Sequence, residues 1–271
     1  MGYSTEELKK IAVNVRRGII EAVYNAQSGH PGGALSCADI LVDLYFNEMN
    51  IDPKNPRMEN RDRFILSKGH ASPAIYSTLA NRGFFPVEEL KSFRKIDSFL
   101  QGHPDLNKVP GVDMTSGSLG QGLSVANGMA LAGRLDGKDY NVYVVMGDGE
   151  IAEGQIWEAA MSSAHYKLNK VIAFVDFNGL QIDGKVTDVM NVTPIKEKFE
   201  AFGWNTIEID GHNFDEIHNA VTKAKESKDK PTVIIAHTVK GKGVSYMENQ
   251  AGWHGKAPND EEYKVAMEGL V

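Results

Sequence analysis

The chain has 271 residues, 42% hydrophobic and 24% charged, an ordinary balance for a globular protein with enough apolar material for a core. A formal net charge of −7, with no Lys/Arg block, argues against a nucleic-acid partner. The single cysteine, Cys37, excludes a disulfide framework and a cysteine-rich metal site; no apolar run reaches membrane-spanning length and Met1 to Lys10 is no signal peptide, so a cytoplasmic protein is expected.

Thr5 to Ala26 places Leu8, Ile11, Ala12, Val15, Ile19, Ala22 and Val23 at helical spacing, with Ser4 or Thr5 as N-cap. The breakers of Ser28-Gly29-His30-Pro31-Gly32-Gly33 end that helix in a loop, and a second apolar helix is predicted over Ala34 to Phe46. A strand over Arg61 to Ser67 stops at Lys68-Gly69-His70, and helices follow over Ala74 to Asn81 and Val87 to Arg94. Asp97 to Gly117 reads as irregular, and irregular segments of this length inside compact domains are usually functional. Leu123 to Leu135 is a helix rich in small residues, suited to close packing.

Tyr143-Val144-Val145-Met146 is an apolar run halted by Gly147-Asp148-Gly149, the pattern of a buried parallel strand ending in a tight turn. A helix follows over Glu153 to Tyr166, then a second strand, Val171 to Val175, ends in Asp176-Phe177-Asn178-Gly179. Gly179 to Phe199 reads mostly as loop. Asn205 to Ile209 and Thr232 to Ala236 are further short strands, separated by an amphipathic helix capped by Asn213. A Gly-rich tail from His237 to Pro258 precedes a short closing helix.

Strands alternating with helices predict an α/β fold, a doubly wound, mostly parallel sheet with helices on both faces, and one domain over residues 1–271. Ligands of such sheets bind outside the carboxyl ends of the strands. His70, Asp148 and Asn178 all fall there, which predicts one shared site. A carboxylate between two glycines suits a metal-bound diphosphate, because glycine admits close backbone approach and its N–H groups can face phosphate oxygens. Asp148 and Asn178, hard oxygen ligands few in number, fit Mg²⁺ or Ca²⁺ whose remaining ligands come from phosphate and water. Four of the eight histidines, His30, His70, His103 and His254, lie in Gly-rich loops and suggest a polar pocket for anions and proton transfer. Glu153 and Glu158, on the helix after the Gly-Asp-Gly turn, read on their own as a solvated face. The nucleotide phosphate loop, the calcium loop and the dinucleotide fingerprint all fail on spacing or composition.

Together these residues resemble the thiamine-diphosphate enzymes, and among them the transketolase family. Gly147-Asp148-Gly149 through Asn178 is similar to the thiamine-diphosphate fingerprint. Ser28-Gly29-His30-Pro31-Gly32, Lys68-Gly69-His70-Ala71, Gly102-His103-Pro104, Gly117 to Gly122 and His254-Gly255 match transketolase elements in order. The resemblance implies a thiamine-diphosphate-binding fold. Asp148, Asn178 and the Leu180 carbonyl would hold Mg²⁺ or Ca²⁺; Gly149, His70 and His254 would contact the diphosphate; Gly117 and Leu119 would flank the aminopyrimidine. His30 and His103, with His254, would face the sugar and move protons, and Glu153 and Glu158 would join a carboxylate cluster between paired cofactor sites. Ser118 and Leu180 depart from the residues common in the family, proline and isoleucine. The larger departure is length. The resemblance implies a separate C-terminal transketolase subunit, carrying the pyrimidine-binding domain and the glutamate that activates the coenzyme, in a homodimer or heterotetramer acting on sugar phosphates. The alternatives are a deoxyxylulose-phosphate synthase, a 2-oxo acid dehydrogenase subunit or a non-catalytic cofactor-binding module.

Overall fold

A computed structural model describes residues 2–271. Five parallel strands form the central sheet in the order β1-β2-β3-β7-β6: β1 (Arg63–Leu66), β2 (Val142–Gly147), β3 (Val171–Phe177), β6 (Asn205–Asp210) and β7 (Thr232–His237). Because side chains alternate across a strand, each strand feeds two cores. Tyr143, Val145, Ile172, Phe174 and Ile234 point to one side, where they meet α1 (Thr5–Ala26), α3 (Ala38–Asp43), α4 (Ser72–Arg82) and α9 (Phe214–Lys225). Val142, Val144, Met146, Ala173, Val175 and Val233 point to the other, against α5 (Gly122–Leu135), α6 (Gly154–His165) and α8 (Ile195–Ala201). Phe174 is completely buried, so truncation to alanine is expected to cost about 3–5 kcal/mol.

The doubly wound parallel sheet is as expected, and so are the long helices. Ser4 caps α1 through a full capping box with Glu7. Gln27, in left-handed conformation, ends the helix. Asn213 accepts from the amides of Asp215 and Glu216 at the start of α9, and α10 (Asp260–Gly269) closes the described chain.

Three expectations are corrected. The helix predicted from Ala34 begins earlier, with α2 (Pro31–Ser36), because Pro31 sits in the first turn, where its missing N–H costs nothing. It also breaks at Cys37 and passes from α3 into a π-helical turn over Leu44–Glu48. Val87–Ser92 forms a 3-10 turn in place of an α-helix. The loop expected from Gly179 to Phe199 contains a small antiparallel hairpin, β4 (Leu180–Gln181) with β5 (Gly184–Lys185), then α7 (Val186–Val189) and the start of α8. No helix among the described residues is long and apolar enough to cross a membrane.

Candidate active site

The carboxyl ends of β1, β2, β3 and β7 converge on one cleft of about 240 Å³. Lys68 and His70 enter it after β1, Asp148 and Gly149 after β2, Asn178 and Leu180 after β3, and Lys240 after β7; His30, Gly117, Leu119 and His254 complete the wall. Of the expected site residues, His103 and Glu153 stand apart from this lining. His103 is exposed beside Gly117, where an added Cβ would sit 3.5 Å from its ring, and it is near enough to His30 to help lower that ring's pKa. Glu153 is solvent-exposed at the N-cap of α6.

The Gly147–Gly149 turn is held by its acids. Asp148, 2% exposed, accepts from the amides of Gly149 at 2.8 Å and Gly179 at 2.6 Å. Burial, then the Asp176 charge, pushes its carboxyl up to about 6 against the pull of those two N–H groups. Glu150, buried behind it, accepts from the amides of Gly120 and Gly147, both at 2.9 Å, and from the Ser67 hydroxyl. It thereby ties the Gly117–Gly122 loop to the turn. Gly120 sits at φ +83°, and a Cβ there would lie 2.7 Å from Glu153 Cβ, so a side chain is excluded on both counts.

Asp176 organises the end of β3 from beneath. It is fully buried and accepts from Lys68 Nζ and Ser36 Oγ, both at 2.5 Å, and from the Thr238 hydroxyl. Burial alone would raise this carboxyl, but Lys68 beside it holds it below the usual range. Asn178 also donates its amide nitrogen to Asp176 at 3.3 Å. That contact fixes which way the amide faces; Oδ1 accepts from the Leu180 amide at 3.1 Å and keeps its second lone pair for a cation. Sequence reasoning missed Asp176, Lys68, Glu150 and Lys240. Lys68 stood beside the Gly-His signal and Lys240 in the Gly-rich tail, but nothing local marked either as buried.

Three histidines face one another across the cleft: ring centroids are 5.1 Å apart for His30–His70 and His70–His254, and 5.4 Å for His30–His254. Burial first, then neighbouring cations and the other histidines, pushes His30 down to about 4, His70 to about 2 and His254 to about 3. His103 is lowered as well, by burial and then by Arg94. Lys240 is 2% exposed and pushed down to about 8, by burial and then by Lys68. These rings and ammonium groups repel each other's charge, which an anion between them would relieve.

A metal-bound diphosphate fits this donor set. Among the described residues no cluster of three or more His, Cys, Asp or Glu side chains is arranged for a metal, so the oxygens at hand are the Asp148 carboxylate, the Asn178 amide and the Leu180 carbonyl. Such a site needs phosphate and water oxygens to complete an octahedron. Two buried polar atoms of the lining, His30 Nδ1 and Gln181 Nε2, have no partner. At Gly149 a Cβ would come within 3.2 Å of Gln181, so the narrow floor suits glycine. The cleft is smaller than the about 300–1,000 Å³ of a complete organic-ligand pocket, as expected if it receives one end of a coenzyme.

Known proteins resemble the chain over nearly its whole length. Residues 8–270 match the family described as transketolase, thiamine diphosphate binding domain. The 6-deoxy-6-sulfo-D-fructose transketolase subunit SqwG of Clostridium sp. (strain MSTE9) is 44% identical over 264 residues, covering 97% of this chain and 96% of that protein. An apulose-4-phosphate transketolase subunit of Phocaeicola vulgatus is 44% identical over 252 residues, covering 93% of this chain and 89% of that protein. The crystal structure of transketolase from Campylobacter jejuni superposes with a TM-score of 0.93 at 36% identity, covering 99% of this chain but 43% of that longer one. The chain belongs to the transketolase family, as a thiamine diphosphate-binding domain.

Proposed function

We propose that this chain is the N-terminal, diphosphate-binding subunit of a two-subunit transketolase. It binds thiamine diphosphate with Mg²⁺ or Ca²⁺ as a single domain and, with a C-terminal subunit carrying the pyrimidine-binding domain, transfers a two-carbon ketol unit from a ketose phosphate to an aldose phosphate. The observation that carries this reading is the juxtaposition of the oxygens of Asp148, Asn178 and Leu180 with the facing histidines and Lys240 in one strand-end cleft. The two relatives of similar length are named for different ketoses.

Bound thiamine diphosphate supplies a nucleophilic carbon and an electron sink for the C–C bond change. The chain's own share is anchoring and proton handling. Asp148, Asn178 and the Leu180 carbonyl would hold the metal; Lys240 and His254, with the Gly149 amide, would receive the diphosphate. His30, His70 and His254 are held neutral in the cleft, so at neutral pH each ring offers one N–H donor and one acceptor. Hydroxyl protons of the sugar must leave and return as the C–C bond breaks and forms, and His30 and His103 are assigned that transfer.

Mixing experiments test the proposal. The purified chain alone is expected to show no ketol transfer, and addition of the C-terminal subunit to restore it with xylulose 5-phosphate as donor. Full turnover by the single chain would refute the division of labour, and product formation only with pyruvate would identify a different thiamine enzyme.

A further inference from the structure

The loop after β7 rests on a set of buried polar contacts outside the cleft. His212, in the turn after β6, accepts the backbone N–H of Val239 on Nε2 at 2.9 Å. A backbone N–H can only donate, so Nε2 is the bare nitrogen and the proton sits on Nδ1. Nδ1 therefore donates to Asp39 at 2.7 Å. The same carboxylate receives both terminal nitrogens of Arg16, at 2.9 and 2.6 Å, and Arg16 Nε donates to the Lys242 carbonyl at 3.1 Å. This network grips the backbone at Val239 and Lys242, the two sides of Lys240. The Gly241 amide, bonded to the Gly32 carbonyl at 3.0 Å, fixes the middle.

The lysine so held makes two contacts in the cleft. Its Nζ donates to the Leu180 carbonyl at 3.1 Å and meets His254 Nδ1 at 3.0 Å. An ammonium group has no lone pair, so His254 must accept through Nδ1 and carry its proton on Nε2. A loop that needed only packing would be served as well by apolar contacts as by a buried Arg–Asp–His set. What the polar set adds is direction, imposed on the backbone either side of one side chain.

We propose that His212, supported by Asp39 and Arg16, is a positioning residue of the coenzyme site: it holds the Val239–Lys242 segment so that Lys240 is aimed into the cleft beside His254 and fixes that ring as its Nε2–H tautomer. The inference rests on the reading of the cleft as a thiamine diphosphate site. His212 is not part of the cleft lining, and its hydrogen bonds go to Asp39 and Val239; it acts through Lys240.

The test uses the full-length chain labelled with ¹⁵N-histidine, with His254 assigned from its loss in His254→Gln. His254 is expected as the Nε2–H tautomer in the unmodified chain, and as a tautomer mixture in both Lys240→Met and His212→Ala. In parallel, His212→Ala is expected to weaken Mg²⁺-dependent thiamine diphosphate binding by about 10–100-fold, the range for loss of a group that orients a ligand. His212→Gln, whose amide can accept from Val239 and donate to Asp39, should keep most of the affinity and the tautomer. An unchanged His254 tautomer in folded His212→Ala overturns the inference, as does a Gln variant that loses as much as the Ala variant. Where His212→Ala does not fold, Lys240→Met and His212→Gln carry the decision: the first must change the tautomer and the second must not. Absence of thiamine diphosphate binding by the unmodified chain with its partner would overturn the coenzyme reading itself. Intact binding there with unaltered binding in His212→Ala overturns the positioning role alone.

Discussion

Asp148 Oδ2 accepts the amide N–H of Gly179 at 2.6 Å, so the carboxylate that ends β2 is bonded to the backbone immediately after β3. The pair holds two strand ends at the separation that brings Asp148, Asn178 and Leu180 to one cleft. Asp148→Asn keeps the side chain's size and removes its charge. It is expected to weaken metal-dependent thiamine diphosphate binding by at least the roughly 10–100-fold that follows loss of a ligand's supporting partner. A titration followed by the fluorescence of Trp253, next to His254, measures this directly. EDTA should bring the unmodified chain down to the variant's level. Equal affinity for the two proteins in Mg²⁺ would remove Asp148 from the metal site.

The histidines divide by position. His70 is in the cleft wall beside Lys68 and Lys240, while His103 is exposed beside Gly117, outside the lining. His70→Ala is expected to lose coenzyme affinity. His103→Ala is expected to keep that affinity and to lower ketol transfer by the reconstituted two-subunit enzyme about 10²–10⁴-fold, the usual worth of a proton-transfer group. Binding curves and turnover measured on the same preparations separate the two outcomes. A His103 variant that fails in binding first would shift it from catalysis to anchoring.

Much of this was readable from residue order. All five sheet strands were legible, and β2, β3 and β7 most plainly, because apolar, β-branched runs halted by glycine or polar residues have few other solutions in a parallel sheet. The 22 residues of α1 were legible because its apolar stripe persists over many turns. The short elements between Gly179 and Phe199 were not, since a two-residue strand or a single helical turn is imposed by its neighbours and leaves no periodicity. In the site, strand ends exposed Asp148 and Asn178. Lys68, Asp176 and Lys240 stayed hidden because a lone charged residue is ordinarily solvated, and burial of opposite charges from β3 and the β1 loop against each other is a property of the assembled sheet.

Lys68 and Asp176 make a buried ion pair at 2.5 Å, with side chains 3% and 0% exposed. Removing one partner leaves the other's charge uncompensated, which typically costs about 3–5 kcal/mol. Lys68→Met is expected to destabilise the chain by that order. The double variant Lys68→Met with Asp176→Leu should recover part of the loss, since no charge is left stranded. Urea denaturation of the two single variants and the double variant measures the coupling. Strict additivity would show that the pair contributes nothing beyond its separate members.

Asp43 predicts an effect of opposite sign. Its side chain is fully buried and neither carboxyl oxygen makes a well-formed hydrogen bond. Burial, then the Glu48 charge, pushes it up to about 7 from an ordinary value of 3.8, against the opposing influence of His218, Asn47 and Lys225. Between those two values the folded chain holds a proton that the unfolded chain has released. Stability is therefore lost as pH rises from about 4 to about 7 and stays reduced above that range. Asp43→Asn removes the titration while keeping the shape. The variant is expected to match the parent near pH 4, to exceed it increasingly up to about pH 7 and to level off by pH 8, at no more than ~4 kcal/mol at the free-energy equivalent of a pKa unit. Urea denaturation midpoints of both proteins at each pH unit from 4 to 8 provide the measurement. A difference that stays constant across that range would assign the effect to packing and leave the buried carboxyl uninvolved.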